Sequence, residues 1–367
     1  MVTISLCLIV KNEEDSLARC LDSVNDLVDE INIIDTGSTD TTKQVVAKYT
    51  DRIFDFEWVD DFSKARNFAF QQASKDYIFW LDADDVLLEA DRTKLKTLKG
   101  TLVSSIDSVT MDYVLQTDEY GNVTSSVKRN RLVKRENQFK WIGAVHEYLE
   151  VWGNIFNSDI AVTHQSNRHD ANRNLLIYER QLARGKELTP RDLFYFANEL
   201  KDHQMHERAI YFYEKFLKTK KGWVEDNISA CSKLADCYFD LGESEKELQS
   251  ILRSFQFDSP RPEFCCRLGF YFLEKNEVRA AVFWYKLAAQ LEVPKDHWGF
   301  VNLTFSTWLP HLQLCICYDR LGEYELAYHH NEAARQYRPT DPNVLHNKAY
   351  LEACLQIGEA EGPSHGE

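Results

Sequence analysis

Residues 76–87 read DYIFWLDADDVL, and the fold turns on this stretch. An apolar run, Tyr77 to Trp80, meets three carboxylates within four positions: Asp82, Asp84 and Asp85. So short a run, bounded by polar residues, suits a buried strand better than a helix. Side chains alternate along a strand, so Asp82 and Asp84 point to the same side, while Asp85 points elsewhere and is expected only to cap the next turn of chain. A solvated acidic turn fits the same letters. Two carboxylates with few other protein ligands suit Mg²⁺ or Mn²⁺, which keep waters and complete their shell with substrate phosphates. A divalent cation is therefore the expected offset for the negative charge at this strand end.

Upstream, VTISLCLIV (2–10) is a continuous apolar run, as in a strand covered on both faces. NEEDSLARCLDSV (12–24) has helical spacing, EINIID (30–35) reads as a strand, STDTTKQVVAKY (38–49) as a helix, RIFDFEW (52–58) as a strand and FSKARNFAFQQAS (62–74) as a helix. Alternating strands and helices predict a parallel sheet, and such sheets bind ligands beyond the carboxyl ends of their strands. Polar clusters fall at those ends: KNEE, DTGSTD, VDD and DADD. Downstream, SVTMDYVLQTD (108–118), SSVKRNRLVKR (125–135), FKWIGAVHEYLEVW (139–152) and IFNSDIAVTHQ (155–165) read as further strands, and 169–188 as a linking helix.

From about residue 190 the pattern is helical only. HERAIYFYEKFL (206–217), GESEKELQSIL (242–252), NEVRAAVFWYKLA (276–288) and GEYELAYHHNEAA (322–334) align on Glu207, Glu243, Glu277 and Glu323, in steps of 36, 34 and 46 residues. Pro260, Pro294 and Pro339 come 16 or 17 residues after the last three, and Ala209, Ala280 and Ala327 mark small-residue contacts between paired helices. The longest step carries extra residues around Lys295–Thr307. This pattern resembles the tetratricopeptide repeat of 34 residues; a generic helical bundle is the alternative. The chain is read as 1–168, an α/β domain, 169–190, a linker helix, and 191–360, an all-α repeat domain.

The motifs Lys11-Asn12-Glu13-Glu14, Asp35-Thr36-Gly37-Ser38-Thr39-Asp40, Asp61-Phe62-Ser63-Lys64-Ala65-Arg66-Asn67 and Asp82-Ala83-Asp84, in that order over residues 1–170, resemble glycosyltransferase family 2. The resemblance implies a GT-A (Rossmann-like) nucleotide-sugar-binding fold and a metal-dependent transferase of hexosyl type using an activated sugar, most often a UDP-sugar. It implies that Val10, Asn12 and Glu13 hold base and ribose, that Asp35 accepts the uracil imide N–H, and that Lys64 and Arg66 balance the diphosphate. Asp82 and Ala83 would line the nucleotide, with Asp82 approaching ribose or metal; Asp84 would bind the metal directly, with His164 as a further ligand. Inverting members place a carboxylate base on the segment Trp141-Ile142-Gly143-Ala144-Val145-His146-Glu147. Glu147 is the candidate, with His146 as alternative base or acceptor-orienting group. The family's commoner pattern ends in Glu-Asp, so the choice stays open. Simpler roles exist: Asp35 as a cap of the following helix, Lys64 and Arg66 on a solvated helix face, His146 and Glu147 on alternate faces of a strand, and Trp141 in the core rather than on a sugar.

Composition limits the partners. Of 367 residues, 43 are basic and 58 acidic, giving a net charge of −15. The lack of a basic block argues against a nucleic-acid-coating role. Nine cysteines without a CxxC pair argue against a cysteine zinc site and suggest reduced thiols in the cytoplasm. The N-terminal apolar run is too short for a signal peptide or membrane span. The family domain with repeats after it resembles bacterial enzymes that glycosylate ribosomally made peptides, such as the S-glycosyltransferases of bacteriocin (glycocin) pathways. That implies a Cys, Ser or Thr acceptor on a peptide or protein, since helical arrays present peptide-binding grooves. The alternatives are a cell-wall or surface-polysaccharide transferase whose repeats only form a homodimer, and a non-catalytic repeat scaffold.

Overall fold

The computed structural model describes residues 1–165, 172–292 and 298–360. These described residues form ten strands: β1 (Ile4–Val10), β2 (Glu30–Asp35), β3 (Ile53–Asp55), β4 (Tyr77–Trp80), β5 (Asp85–Val86), β6 (Ser108–Thr117), β7 (Val123–Lys134), β8 (Lys140–Ile142), β9 (Tyr148–Glu150) and β10 (Ile155–His164). Helices α1 (Leu17–Asp22), α2 (Thr42–Val46), α3 (Phe62–Gln72) and α4 (Glu89–Thr101) lie among them. Ten more come after: α5 (Arg173–Ala183), α6 (Pro190–Asp202), α7 (His206–Thr219), α8 (Val224–Asp240), α9 (Ser244–Arg253), α10 (Pro262–Glu274), α11 (Val278–Gln290), α12 (Trp308–Arg320), α13 (Tyr324–Arg335) and α14 (Pro342–Ala360).

Contacts divide the chain into two compact units. The first draws on Met1–Gln116 and Ser126–Glu199, and the second on Thr117–Ser125 and the helices from Leu200 onward. The first unit holds an eight-stranded sheet ordered β3-β2-β1-β4-β7-β6-β10-β5. Its β1–β4 core is parallel, as alternating strands and helices require, but β7 runs antiparallel to β4 and β5 antiparallel to β10. The sheet is therefore mixed. Strand β1 is buried on both faces, with Leu6, Leu8, Phe79 and Leu132 in one core and Cys7, Ile34, Ile78, Trp80 and Trp141 in the other. The segment 139–152 is not one strand. It splits into the β8–β9 hairpin, and Gly143 (φ +104°) and His146 (φ +50°) turn the chain between them. His146 and Glu147 thus sit in a loop, not on opposite faces of a strand.

The second unit is built of paired helices. Each second helix comes after one residue in left-handed conformation: Gln204, Gly242, Asn276 and Gly322 precede the N-caps Met205, Glu243, Glu277 and Glu323. That turn lets antiparallel helices succeed one another within a few residues. The first repeat is therefore in register at Met205 rather than Glu207. Four residues after the N-caps Met205, Glu277 and Glu323, the buried alanines are Ala209, Ala281 and Ala327, so Ala281, not Ala280, makes the helix contact. Pro294, Lys295 and the helix start at His169 lie outside the described residues.

Candidate active site

The rim begins at the end of β1. Val10 is buried, and Asn12 leaves the strand with φ +56°. That geometry aims the Asn12 N–H at Ser38 Oγ (3.0 Å), while Asn12 Oδ1 accepts from Thr39 N (2.8 Å) and Glu13 N donates to Thr42 Oγ1 (2.7 Å). The KNEE and DTGSTD segments thus lock together. Asp35 ends β2. Its Oδ1 accepts from Gly37 N (2.9 Å) and Ser38 N (2.8 Å), so it caps the turn after β2 and not helix α2, whose N-cap is Thr41. Its Oδ2 is buried and has no hydrogen-bond partner among the described residues. A buried, unmatched carboxylate oxygen is costly unless a ligand donor reaches it.

At the end of β4 the three carboxylates separate. Asp82 Oδ1 takes Arg66 Nη2 at 2.7 Å, and the same guanidinium donates from Nε to Glu147 Oε1 at 2.5 Å. Arg66 lies on α3, which Asp61 caps through Lys64 N. It packs against both Trp80 (5.0 Å) and Trp141 (4.8 Å). Burial pushes the Asp82 carboxyl up, but Arg66 and Arg131 outweigh it and hold it down at about 2. Lys64 is exposed and pairs with no carboxylate among the described residues. Ala83 is buried, and Trp141, 4% exposed, is core packed edge-on to Trp80; it is not available as a sugar platform.

Asp84, Asp85 and His164 each place a ligand atom within 4.8 Å of the others. Asp84 Oδ1 is 3.5 Å and Asp85 Oδ1 3.6 Å from His164 Nδ1, which also meets the Tyr113 hydroxyl at 2.9 Å. The carboxylates of Asp84 and then Asp85, against the opposing effect of burial, push the imidazole up to about 10. Asp82 is not in this group. Asp85, expected as a mere cap, instead forms β5, is fully buried and faces His164. Among the described residues its Oδ1 has no hydrogen-bond partner, while its Oδ2 accepts from Asp82 N at 2.9 Å and pairs with Arg131 Nη2 at 3.0 Å. Two carboxylate oxygens and an imidazole fit Mg²⁺ or Mn²⁺ with open positions left for phosphate oxygens.

Arg131 was not singled out by sequence. It is wholly buried on β7, with its guanidinium 3.9 Å from the Trp80 ring. It and Arg66 correct the expectation that a cation alone offsets the acidic strand end: Asp85 and Asp82 each already face an arginine. A signal existed in RNRLV, whose alternate arginines sit on a strand that pairs with the acid-bearing one through Phe79↔Leu132.

An α/β domain with its acids collected at the carboxyl rim of the sheet is the class that fold and site define. Residues 5–97 match the model of the family Glycosyl transferase family 2. The chain carries a domain of that family at its N-terminus, with tetratricopeptide-like helical repeats after it. A TPR repeat-containing protein of Synechococcus elongatus is 43% identical over 97 residues, 26% of this chain and 24% of that one. The SPbeta prophage-derived glycosyltransferase SunS of Bacillus subtilis is 29% identical over 238 residues, 60% of this chain and 54% of that one. The lipopolysaccharide core biosynthesis glycosyltransferase LpsC of Rhizobium meliloti is 30% identical over 166 residues, 42% of this chain and 60% of that one. The chain thus spans about a quarter to three fifths of the length of these curated relatives. Among the described residues, no helix is long and apolar enough to cross a membrane.

Proposed function

We propose that the protein is an inverting, metal-dependent glycosyltransferase that moves a sugar from a UDP-sugar to a Cys, Ser or Thr side chain of a peptide or protein. One observation carries the reading. The Asp84–Asp85–His164 cluster lies on the same rim as Asp82 and Glu147, which Arg66 bridges. Bound there, Mg²⁺ or Mn²⁺ would neutralise the diphosphate leaving group. Asp35 Oδ2, buried and unmatched, supports recognition of a base that offers an N–H, as uracil does. Val10, Asn12, Glu13 and Ala83 would line the nucleotide, and Lys64 would meet the diphosphate from solvent. Glu147 or His146 takes the acceptor proton as the acceptor attacks the anomeric carbon.

The peptide acceptor rests on the repeats, since helical arrays present grooves that suit peptides. LpsC, named for lipopolysaccharide core biosynthesis, favours the second reading, a saccharide acceptor with repeats that only dimerise the enzyme. A cytoplasmic enzyme of three parts, 1–168, 169–190 and 191–360, completes the proposal. Incubation with UDP-glucose, UDP-N-acetylglucosamine and UDP-galactose, with and without Mn²⁺, tests it: metal-dependent release of UDP is expected. No release from any UDP-sugar contradicts it. An intact-mass increase on a Cys-rich peptide encoded beside the protein separates the peptide acceptor from the saccharide.

A further inference from the structure

Three residues of α6 grip the loop that carries His146. Arg191, Tyr195 and Glu199 are spaced four apart and so share one face of the helix. Arg191 donates to the His146 carbonyl oxygen from Nη2 (3.0 Å) and Nε (3.2 Å). Tyr195 stacks on the imidazole, with centroids 4.4 Å apart and planes at 17°. Glu199 Oε1 lies 2.6 Å from His146 Nε2. Asn174 Nδ2 donates to the same carboxylate oxygen at 3.1 Å, which fixes it in place. The loop pays for this grip with a left-handed backbone at His146, φ +50°, unusual for a residue with a side chain.

We propose that Glu199 and His146 act as a carboxylate–imidazole pair in which His146 is the base and Glu199 the positioning residue. This rests on the transferase reading above. A carboxylate at Nε2 accepts the Nε2–H, which selects the tautomer whose Nδ1 carries the lone pair. The acceptor S–H or O–H then gives its proton to Nδ1. Its sulfur or oxygen forms the bond to the anomeric carbon, and the bond from that carbon to the diphosphate oxygen breaks with its electron pair on the diphosphate. The proton later leaves Nδ1 for solvent. Exposure separates the two candidates. The His146 side chain is 33% exposed and its partner Glu199 10%. Glu147 is 10% exposed and already bound to Arg66 at 2.5 Å. Glu147 thus holds Arg66 against Asp82, and His146 is the more accessible of the two. The groups around His146 are Glu199, Tyr195 and Arg191 from α6, Glu147 and Tyr148 in its own segment with Arg66 behind Glu147, and Arg129 of β7 beside Tyr195 and Arg191.

The test uses the full chain and the UDP-sugar that the wild type hydrolyses in the presence of Mn²⁺, with water as acceptor. In Glu199→Gln, kcat is expected to fall about tenfold or more with little change in KM, because the imidazole is no longer held in the productive tautomer. His146→Gln loses roughly a hundredfold or more and the acid limb with it. Retained Mn²⁺–UDP binding in both variants shows that the site is still folded. A Glu199→Gln profile that superimposes on the wild type overturns the pair, as does an acid limb removed by Glu147→Gln and kept by His146→Gln. If Asp84→Ala abolishes turnover while both other variants behave as wild type, the transferase reading stands and the pair falls. If the wild type hydrolyses no UDP-sugar, both fall.

Discussion

The Asp85–Arg131 pair beyond the end of β4 and the contact between α10 and α11 are both buried, yet they are built on opposite terms. At β4, Asp85 and Arg131 are both 0% exposed and matched by charge. At α10–α11, the match is of shape: Gly269 faces the Tyr285 ring, and a Cβ there would meet ring carbons at 2.7 Å. The neighbouring thiols Cys265 and Cys315 are pushed up to about 12 by burial and stay uncharged. The difference shows what each region tolerates. A charge-matched site fails when one partner is removed and recovers when both are. A shape-matched site fails when volume is added and is indifferent to pH.

The largest effect is expected from Arg131→Ala. It strands the buried Asp85 carboxylate and should cost about 3–5 kcal/mol in urea unfolding. Replacing both partners, Asp85→Leu with Arg131→Met, should restore most of that stability. The double variant should still bind Mn²⁺ more weakly, since Asp85 Oδ1 faces His164. If it stays as unstable as the single variant, the pair is not what offsets the charge.

Gly269→Ala comes next. Alanine is the better helix former by about 1 kcal/mol, but three Tyr285 ring atoms lie under 3.0 Å from the added carbon. Overpacking typically costs about 1–3 kcal/mol, so a net loss is expected. A rise in the unfolding midpoint would show that Tyr285 can move aside.

Acid should separate the two regions by a smaller margin. Glu30 is held at about 2: burial pushes it up, but hydrogen bonds from Ser74, Asn32 and Ser5 prevail. Asp82 is also held at about 2. Both are depressed from 4.5 and 3.8, so their stabilisation is complete above those values and is lost as pH falls toward 2. Unfolding midpoints measured from pH 5 to pH 2 should fall for the sheet unit first. The smallest change is expected from Lys43→Ala, which removes an exposed pair with Asp55 and should leave stability unchanged within error.

The contrast also marks what sequence alone could show. Strand and helix order from Val2 to Asp82 was legible from periodicity. Asp82 and Asp84 were legible because their letters adjoin a clean apolar run. Asp85 was not, because β5 is two residues long and exists only through its pairing with β10. Arg131 was hidden because a buried arginine on a strand reads as a solvated one. Glu199 was hidden because α6 carries the same helical pattern as the repeats, although its residues up to Glu199 belong with the sheet unit. In the repeats, aligning on glutamate put the first repeat two residues out, since its N-cap is Met205.

The central claim is that Asp84, Asp85 and His164 hold the cation that receives a UDP-sugar. Calorimetric titration of UDP in the presence of Mn²⁺ tests it most directly. The account predicts one UDP site that depends on Mn²⁺ and is lost in Asp84→Ala while circular dichroism remains that of the wild type. Equal UDP binding with and without Mn²⁺, or full Mn²⁺-dependent binding by folded Asp84→Ala, would contradict it.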